Sequence, residues 1–217
     1  MNKIALLLSI LSYSFCITGC SDSLQDIKVP SGFSISIYAD NIPGARQMAL
    51  GDKGTVFVGS KKSGRVYALI DTNGDYHADQ RITIKNSLSL PTGVAFLKGD
   101  LFVSGPDKIL RYKNIENNLQ HPAQPLLVLD NLPNDSHHGM RVLEFGPDKM
   151  LYTAIGMPCD ICQLQNPLMG SILRINPENG DYSIYAHGIR NSVGLAWQPS
   201  TQHLWFTDNG RDWLGDD

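Results

Sequence analysis

The sequence lacks any block of basic residues. Its 18 lysine and arginine residues are balanced by 21 aspartate and glutamate residues, and the net charge of −3 is spread along the chain. Proteins that bind nucleic acid usually carry a clustered basic surface, so we expect no nucleic-acid partner. The sequence also lacks a convincing long amphipathic helix. Its 20 glycine and 12 proline residues lie mostly between strand candidates, which is typical of the turns of an all-β protein.

No apolar stretch is long enough for a confident membrane span. Residues 4–17 form an apolar run after a short basic start, which is the pattern of a secretory signal peptide. Small residues follow and lead to Cys20, in a pattern that resembles the lipobox of bacterial lipoproteins. An ordinary signal peptide with an incidental cysteine is the alternative. The sequence therefore predicts a signal peptide at 1–19 and lipidation of Cys20.

The residues after the predicted cleavage site indicate how the mature protein is arranged. Residues 20–28 are polar, as in a tether, and 29–217 form one folded domain that opens with an alternating, strand-like segment at 33–39. Ser21 resembles the outer-membrane sorting pattern. A lipid on Cys20 would anchor the protein without spanning the membrane. We therefore expect an exported bacterial lipoprotein, held in the outer membrane and facing the periplasm.

Cysteine is scarce, with four residues in the chain. Cys16 lies in the predicted signal peptide and Cys20 at its end, which leaves Cys159 and Cys162 in the folded domain. An exported location favours a disulfide between these two. Two alternatives stay open: a redox role for the short ring, and a zinc site, for which no further ligands are obvious nearby.

Against these absences stands a phrase that recurs four times. Each copy consists of an apolar strand, a tight polar turn and a second strand with an aromatic residue near its middle. The copies lie at 49–59, 94–104, 143–154 and 195–207, and their aromatic residues are Phe57, Phe102, Tyr152 and Trp205. These aromatic residues are 45, 50 and 53 positions apart. A period of about 50 residues with paired short strands predicts an all-β fold, a β-propeller with about four blades.

The chain stops at Asp217, shortly after the last predicted strand. Nothing in the final residues resembles a closing strand or a terminal cap. A propeller that is not closed exposes unpaired backbone at the break. We therefore expect 29–217 to be an incomplete propeller, whose isolated form tends to associate.

Propeller sites lie at one mouth of the central channel, in the loops between strands. His138 precedes the third repeat, and a neutral imidazole there could accept a proton from a substrate hydroxyl, with a solvated turn as the alternative. Arg190 and Asn191 precede the fourth repeat and offer a guanidinium and an amide to a carboxylate or quinone oxygen. A structural Arg–Asn pair between blades is the alternative there.

Two acidic turns are candidate calcium sites. The turn after the fourth repeat contains Gly210 and Arg211 among clustered acids, and its exposed carbonyls suit a hard cation, with a simple acidic turn as the alternative. The hairpin after the first repeat imitates a calcium loop, although Tyr76 stands where glycine is usual, and a plain Asx-rich turn is the alternative. The candidate ligands in this hairpin are Asp71, Asn73, Asp75 and Asp79.

Three of these loops together match a known family. Residues 138–148, 188–195 and 204–212 resemble the PQQ-dependent sugar dehydrogenases, and the segment 156–162 fits their L-sorbosone dehydrogenase-like branch. The resemblance implies a six-bladed propeller that holds pyrroloquinoline quinone (PQQ) and calcium at its mouth, of which this chain would supply about four blades. It also implies a sugar or sugar-aldehyde substrate, and a quinone or cytochrome as electron acceptor.

The resemblance also implies roles for single residues. His138 matches the general base, which takes the proton from the sugar hydroxyl while a hydride passes to the quinone. Arg190 and Asn191 match positions that contact the cofactor. The backbone carbonyls of Gly210 and Arg211 match ligands of the calcium that bridges to the cofactor. Calcium and a guanidinium would both stabilise negative charge that gathers on the quinone.

One residue departs from the family pattern. Where the glucose-oxidising branch has an aspartate that orients the catalytic histidine, this sequence has Met157. His138 must then be oriented by another group or be less basic. Two other functions stay open: a non-catalytic propeller that serves as a binding module on a lipoprotein, and a metal-dependent lactonase, which would need carboxylate and asparagine side chains around a central metal.

Overall fold

The structure is a computed structural model and describes residues 24–134, 137–163 and 166–213. The predicted signal peptide at 1–19 and the predicted lipidation site Cys20 lie outside the described residues. Across the described ranges, no helix is long and apolar enough to cross a membrane.

The chain divides into two compact units, Met1–Ile37 and Tyr38–Asp217. The described part of the first unit begins with a 3₁₀ turn at Leu24–Asp26 and contains no strand. This differs from the expectation for 33–39, whose alternating pattern predicts a half-buried strand. Phe33 is 72% exposed, and within the described residues this segment pairs with no sheet. Alternation alone does not make a strand, because the backbone groups also need a partner.

The second unit is built from strands that form four antiparallel sheets. In sheets 1, 2 and 3 four successive strands pair in chain order, whereas the described part of sheet 4 has two strands. The predicted fold class, an all-β β-propeller, is confirmed, with three four-stranded blades and a two-stranded fourth. Sheet 1 consists of β1 (Ala45–Leu50), β2 (Val56–Ser60), β3 (Val66–Ile70) and β4 (Gln80–Lys85). Sheet 2 consists of β5 (Val94–Leu97), β6 (Asp100–Ser104), β7 (Ile109–Tyr112) and β8 (Leu126–Leu129). Sheet 3 consists of β9 (Leu143–Phe145), β10 (Leu151–Ile155), β11 (Ser171–Ile175) and β12 (Tyr182–His187), and sheet 4 of β13 (Ser192–Trp197) and β14 (Leu204–Asp208).

Each copy of the repeated phrase forms the first hairpin of a sheet. The tightest of these hairpins joins β5 to β6, where Leu97 pairs with Asp100 across a two-residue turn. Lys98 and Gly99 in that turn have φ values of 51° and 86°. Two successive positive φ values are typical of the turn that matches the twist of a β-hairpin. The polar turn of the phrase is therefore what sets the hairpin.

Aromatic pairs join each sheet to the next. The aromatic residue on the second strand of a sheet packs against one on the first strand of the following sheet, and both belong to the repeated phrase. The pairs are Phe57 with Phe96, Phe102 with Phe145 and Tyr152 with Trp197, with ring centroids 5.6, 5.1 and 4.9 Å apart. Trp205, the corresponding residue of sheet 4, is 65% exposed. The period seen in the sequence thus reports contacts between neighbouring blades.

Gln47 connects the first strands of three sheets. Its Oε1 accepts hydrogen bonds from the N–H of Val94 at 3.2 Å and the N–H of Leu143 at 3.0 Å. Its Nε2 donates to the carbonyl of Leu143 at 2.5 Å. These three residues lie on β1, β5 and β9, the first strands of their sheets, and β5 contacts both β1 and β9. One side chain thereby fixes the spacing of three blades.

Candidate functional site

Five of the predicted site residues lie at one end of the propeller. His138 precedes β9, Arg190 and Asn191 precede β13, and Gly210 and Arg211 follow β14. The first strand of a sheet begins at the end where its antiparallel neighbour finishes. The start of β13, at Ser192, accordingly pairs with the end of β14, at Asp208. The fold therefore brings these loops to the same mouth.

Hydrogen bonds connect the loops to one another. Met157, which follows β10, donates its N–H to the carbonyl of Arg190 at 2.8 Å. The carbonyl of Met157 lies 2.9 Å from Nδ1 of His138. On the other side, the carboxylate of Asp208 accepts from the N–H of Arg190 at 3.0 Å and from the N–H of Asn191 at 2.7 Å. The loops before β9 and β13 and the end of β14 thus form one connected network.

His138 packs directly against Gly156. A Cβ atom added to Gly156 would lie 2.5 Å from Cβ of His138 and 2.9 Å from its carbonyl oxygen, so only glycine fits there. His138 itself has a left-handed φ of 58°, and its ring centroid is 4.0 Å from that of His137. Such a backbone conformation persists only where its surroundings hold it in place. The end of β10 therefore determines where the imidazole lies.

The contact with Met157 selects the tautomer of His138. A carbonyl oxygen only accepts hydrogen bonds, so Nδ1 carries the hydrogen, and in the neutral ring the lone pair is then on Nε2. This is the form of imidazole that takes up a proton. The backbone carbonyl of Met157 thus orients the ring of His138 without bringing a negative charge. The expectation that another group orients His138 agrees with this contact.

Arg141 supports the loop before β9 that carries His138. Its side chain is 3% exposed. Its Nη1 donates to the carbonyl of His138 at 3.2 Å and its Nη2 to the carbonyl of Pro133. Its backbone N–H and carbonyl contact the hydroxyl of Thr92, which lies just before β5, both at 3.2 Å. Arg141 lies within the motif at 138–148, but no role for it was predicted from the sequence.

Asp160 holds the guanidinium of Arg190. Its Oδ1 lies 2.8 Å from Nη2 of Arg190, and its carbonyl accepts from Nε at 3.4 Å. Nη1 of Arg190 donates to the carbonyl of Asn209 at 3.1 Å. The N–H of Asp212 also donates to Oδ1 of Asp160, at 2.9 Å. That hydrogen bond and the charges of Arg190 and Arg211 lower the pKa of Asp160 below its ordinary value, against an opposing effect of burial.

Sequence reasoning missed Asp160, although one observation pointed to it. The residue lies between Cys159 and Cys162, which the structure pairs as a disulfide with Cα atoms 6.1 Å apart. An acidic residue inside so short a ring has a restricted position and is therefore suited to hold a neighbouring cationic side chain. The disulfide loop covers one side of an open pocket of about 370 Å³. The pocket is lined by, among others, Met157, Ile161, Gly170, Ile189, Arg190 and Arg211.

In the second candidate calcium loop, at 71–79, the carboxylates accept hydrogen bonds from the loop itself. The carboxylate of Asp71 accepts the N–H groups of Asn73, Gly74 and Tyr76 at 3.2, 2.7 and 2.9 Å. Asp79 accepts both the N–H and the hydroxyl of Thr72 at 2.7 Å. Asp75 is likewise engaged, with Asn73 and with the N–H of His77. This pattern favours the Asx-rich turn over a cation site, since the oxygens already have partners.

Comparison with known proteins shows a family. Residues 19–215 match a family model described as "Domain of unknown function (DUF7133)". The chain belongs to this family. It is also 28% identical over 202 residues to an uncharacterized protein of Borreliella burgdorferi, an alignment that covers 88% of this chain and 51% of that protein. The chain thus spans about half the length of the relative it matches.

Solved structures with this fold include PQQ-containing propellers. The PQQ domain of pyranose dehydrogenase from Coprinopsis cinerea superposes with a TM-score of 0.74 at 16% identity, over 85% of this chain and 48% of that one. The PQQ-bound aldose sugar dehydrogenase from Streptomyces coelicolor superposes with a TM-score of 0.66 at 21% identity, over 82% of this chain and 60% of that one. At such identities the likeness establishes the propeller fold that this DUF7133 chain shares with them.

The pocket residues of the DUF7133 chain fit a flat, anionic quinone. Arg190 and Arg211 line the same pocket and present positive charge to carboxylates, while Ile161 and Ile189 provide apolar walls for a ring system. The pocket volume falls within the range of about 300–1,000 Å³ that is usual for small-molecule sites. Within the described residues, no three His, Cys, Asp or Glu side chains group to hold a metal ion. A calcium ion would therefore take backbone carbonyls, the donor type predicted at 210 and 211.

Proposed function

We propose that this chain belongs to an exported quinoprotein that oxidises a sugar or sugar aldehyde with PQQ and calcium at the propeller mouth. The observation that carries the proposal is the joining of three loops at that mouth. His138, Arg190 and the segment after β14 are connected through Met157 and Asp208 by hydrogen bonds no longer than 3.1 Å. The proposal requires one bound molecule to reach the imidazole, the guanidinium and peptide oxygens at once. Arg190 and Arg211 line the pocket, and His138 is joined to it through the carbonyl of Met157.

His138 serves as the general base in this proposal. Its Nδ1–H is held by the carbonyl of Met157, so Nε2 is the atom that accepts the proton of a substrate hydroxyl. When bound, the orthoquinone would accept the hydride from the substrate carbon that bears this hydroxyl. Loss of one proton and one hydride converts the alcohol, or the hydrate of an aldehyde, into its oxidised product. The chain's part is to position the base and to fix its tautomer.

Arg190, with Asn191 beside it and Arg211 across the pocket, holds the cofactor in this proposal. The Arg190 side chain is 13% exposed and has a fixed direction, so its guanidinium is preorganised for an oxygen anion. The carbonyls of Gly210 and Arg211 lie in the same segment as Asn209 and would be the protein's ligands to calcium. Electrons would leave to a quinone or cytochrome acceptor.

The proposed location rests on the amino terminus. The small-residue pattern before Cys20 supports lipidation there, and Ser21 supports the outer membrane. An anchored enzyme facing the periplasm would meet both sugars and membrane-associated electron acceptors. Metabolic labelling of the expressed protein with a radioactive fatty acid tests this, and loss of the label in Cys20→Ala is the expected result.

The activity test is reconstitution of the full-length protein. We expect PQQ and calcium together to support reduction of a dye acceptor with at least one sugar or sugar aldehyde from a broad panel. A chelator that removes calcium should abolish the rate, and added calcium should restore it. Omission of PQQ is the matched control. Saturable binding of PQQ without turnover on any substrate would instead favour the non-catalytic binding module.

The lactonase alternative has less support. It would require carboxylate and asparagine side chains that converge on a central metal, and the described residues contain no such acidic cluster. Asp208 and Asp160, two acids at the proposed site, are engaged with backbone N–H groups and with Arg190. Hydrolysis of any lactone from a panel by the metal-loaded, PQQ-free protein would support this alternative.

A further inference from the structure

The disulfide loop at 159–162 joins two separate parts of the mouth. Oδ1 of Asp160 accepts from Nη2 of Arg190, which precedes β13, and from the N–H of Asp212, which follows β14. The carbonyl of Asp160 accepts from Nε of Arg190. A single residue therefore ties the pocket's guanidinium to the segment that would bind calcium. Both ends of the loop are fixed by the bond between Cys159 and Cys162.

We propose that Asp160 is the positioning residue that fixes the Arg190 guanidinium for an anionic ligand, and that the Cys159–Cys162 disulfide holds Asp160 in place. The proposal rests on the proposed function, in which that ligand is PQQ. Reduction of the disulfide would then weaken ligand binding at the mouth.

The contacts of Arg190 show why Asp160 has this role. Asp208 accepts from the backbone N–H of Arg190 and not from its guanidinium, so it does not orient the side chain. The carboxylate of Asp212 lies 3.9 Å from Nη2, too far for a hydrogen bond. Without the Asp160 carboxylate, the guanidinium would lose its 2.8 Å contact and keep two backbone carbonyls among its described hydrogen-bond partners, that of Asn209 at 3.1 Å and that of residue 160 at 3.4 Å. A long side chain that is not held must be ordered when the ligand binds, which weakens affinity.

An opposite effect of Asp160 is conceivable on electrostatic grounds. Its carboxylate repels an anionic ligand and competes for the same guanidinium. The side chain is 37% exposed, however, so solvent screens its charge. The loss of orientation should therefore outweigh the relief of repulsion. The two effects have opposite signs in a binding measurement, which makes the proposal testable.

The first test is calorimetric titration of PQQ, with calcium present, into the full-length protein. We expect Asp160→Ala to weaken PQQ binding about tenfold, the loss of a charge-assisted hydrogen bond and of one preorganised side chain. In an Arg190→Gln background the same substitution should change affinity less than about twofold, because the positioned group is gone. Asp160→Glu should recover part of the loss. Unchanged or tighter binding by Asp160→Ala, or an equal loss in both backgrounds, would overturn the proposal.

Asp148 provides a matched control, because it also adjoins β10. Asp148 pairs with Arg174 at the same distance of 2.8 Å, and its side chain is 36% exposed, close to the 37% of Asp160. It lies in the β9–β10 turn, at the other end of the strands from the mouth. Asp148→Ala should leave PQQ affinity within about twofold of the wild-type value, since affinity depends on contacts at the pocket.

The second test needs no cofactor. A dithiol such as dithiothreitol gives two electrons and two protons to the disulfide and leaves two thiols. Hydrogen exchange should become at least about tenfold faster at 188–191 and 208–213, both in the reduced protein and in Asp160→Ala, with β5–β8 unchanged as the internal reference. Unchanged exchange at both segments would refute the positioning role even if PQQ binds. Faster exchange in a protein that binds no PQQ would uphold the positioning role and refute the proposed function.

Discussion

At the scale of single residues, the position of His138 depends on the absence of a side chain opposite it. Gly156 lets the imidazole loop approach the end of β10, and the carbonyl of Met157 then accepts from Nδ1. The recognised motif pointed to His138 from the sequence. The group that orients it could not be predicted, because any residue at position 157 supplies the same carbonyl.

Substitution of Gly156 should therefore affect the site without affecting the fold. In Gly156→Ala the new Cβ would lie 2.5 Å from Cβ of His138, so the histidine loop must move. We expect turnover of the reconstituted protein to fall at least about tenfold, as misplacement of a catalytic group by an ångström does. Dye reduction at saturating substrate measures it.

Gly105→Ala is the control for this substitution. The nearest atom to a Cβ at Gly105 is the carbonyl oxygen of Ser89 at 3.4 Å, an ordinary contact. Turnover by this variant should stay near that of the wild type. Equal activity of Gly156→Ala and wild type would show that the close contact with His138 does not position the base.

At the scale of strands and sheets, structure formed by neighbouring residues could be predicted from the sequence, whereas contacts between distant residues could not. The four hairpins were predictable because each is encoded within about 12 consecutive residues by apolar runs and a polar turn. The Gln47 contact could not be predicted, because it joins residues 96 positions apart. The pairing of Asp160 with Arg190 spans 30 positions and is likewise invisible to pattern. The segment 33–39 shows the converse, a strand pattern that joins none of the described sheets, although the carbonyl of Tyr38 accepts from the N–H of Ala78 at 2.8 Å.

Loss of the Gln47 side chain should destabilise the contact between blades. In Gln47→Ala the N–H groups of Val94 and Leu143 lose the oxygen that accepts from them. We expect the free energy of unfolding to fall by about 3 kcal/mol, because each unsatisfied buried polar group costs about 1–3 kcal/mol. Urea denaturation followed by tryptophan fluorescence measures this change.

Gln80 provides the comparison for this experiment. It lies on β4 and is exposed, so Gln80→Ala should change the free energy of unfolding by no more than about 0.5 kcal/mol. A similar small change for Gln47→Ala would mean that water replaces its hydrogen bonds and that other contacts, among them the aromatic pairs, hold the three sheets together.

At the scale of the whole molecule, repetition builds the scaffold and irregular loops build the site. The aromatic pairs recur from blade to blade, whereas His138, Arg190 and the disulfide loop each occur once. The sequence predicted the propeller because its repeats share one physical cause, the packing of each sheet on the next. It predicted the mouth only through the order of the motifs, since no repeat encodes it. The chain covers about half of its Borreliella relative, so the activity of the whole protein is a proposal.

The most direct test of the central claim is a paired measurement on His138→Ala in the full-length protein. Calorimetric titration gives its affinity for PQQ in the presence of calcium, and dye reduction gives its turnover. The account predicts PQQ affinity within about twofold of wild type and turnover lower by a factor of about 10²–10⁴, the usual contribution of a general base. Turnover that survives the substitution would contradict the assignment of His138 and, with it, the proposed oxidation at this mouth.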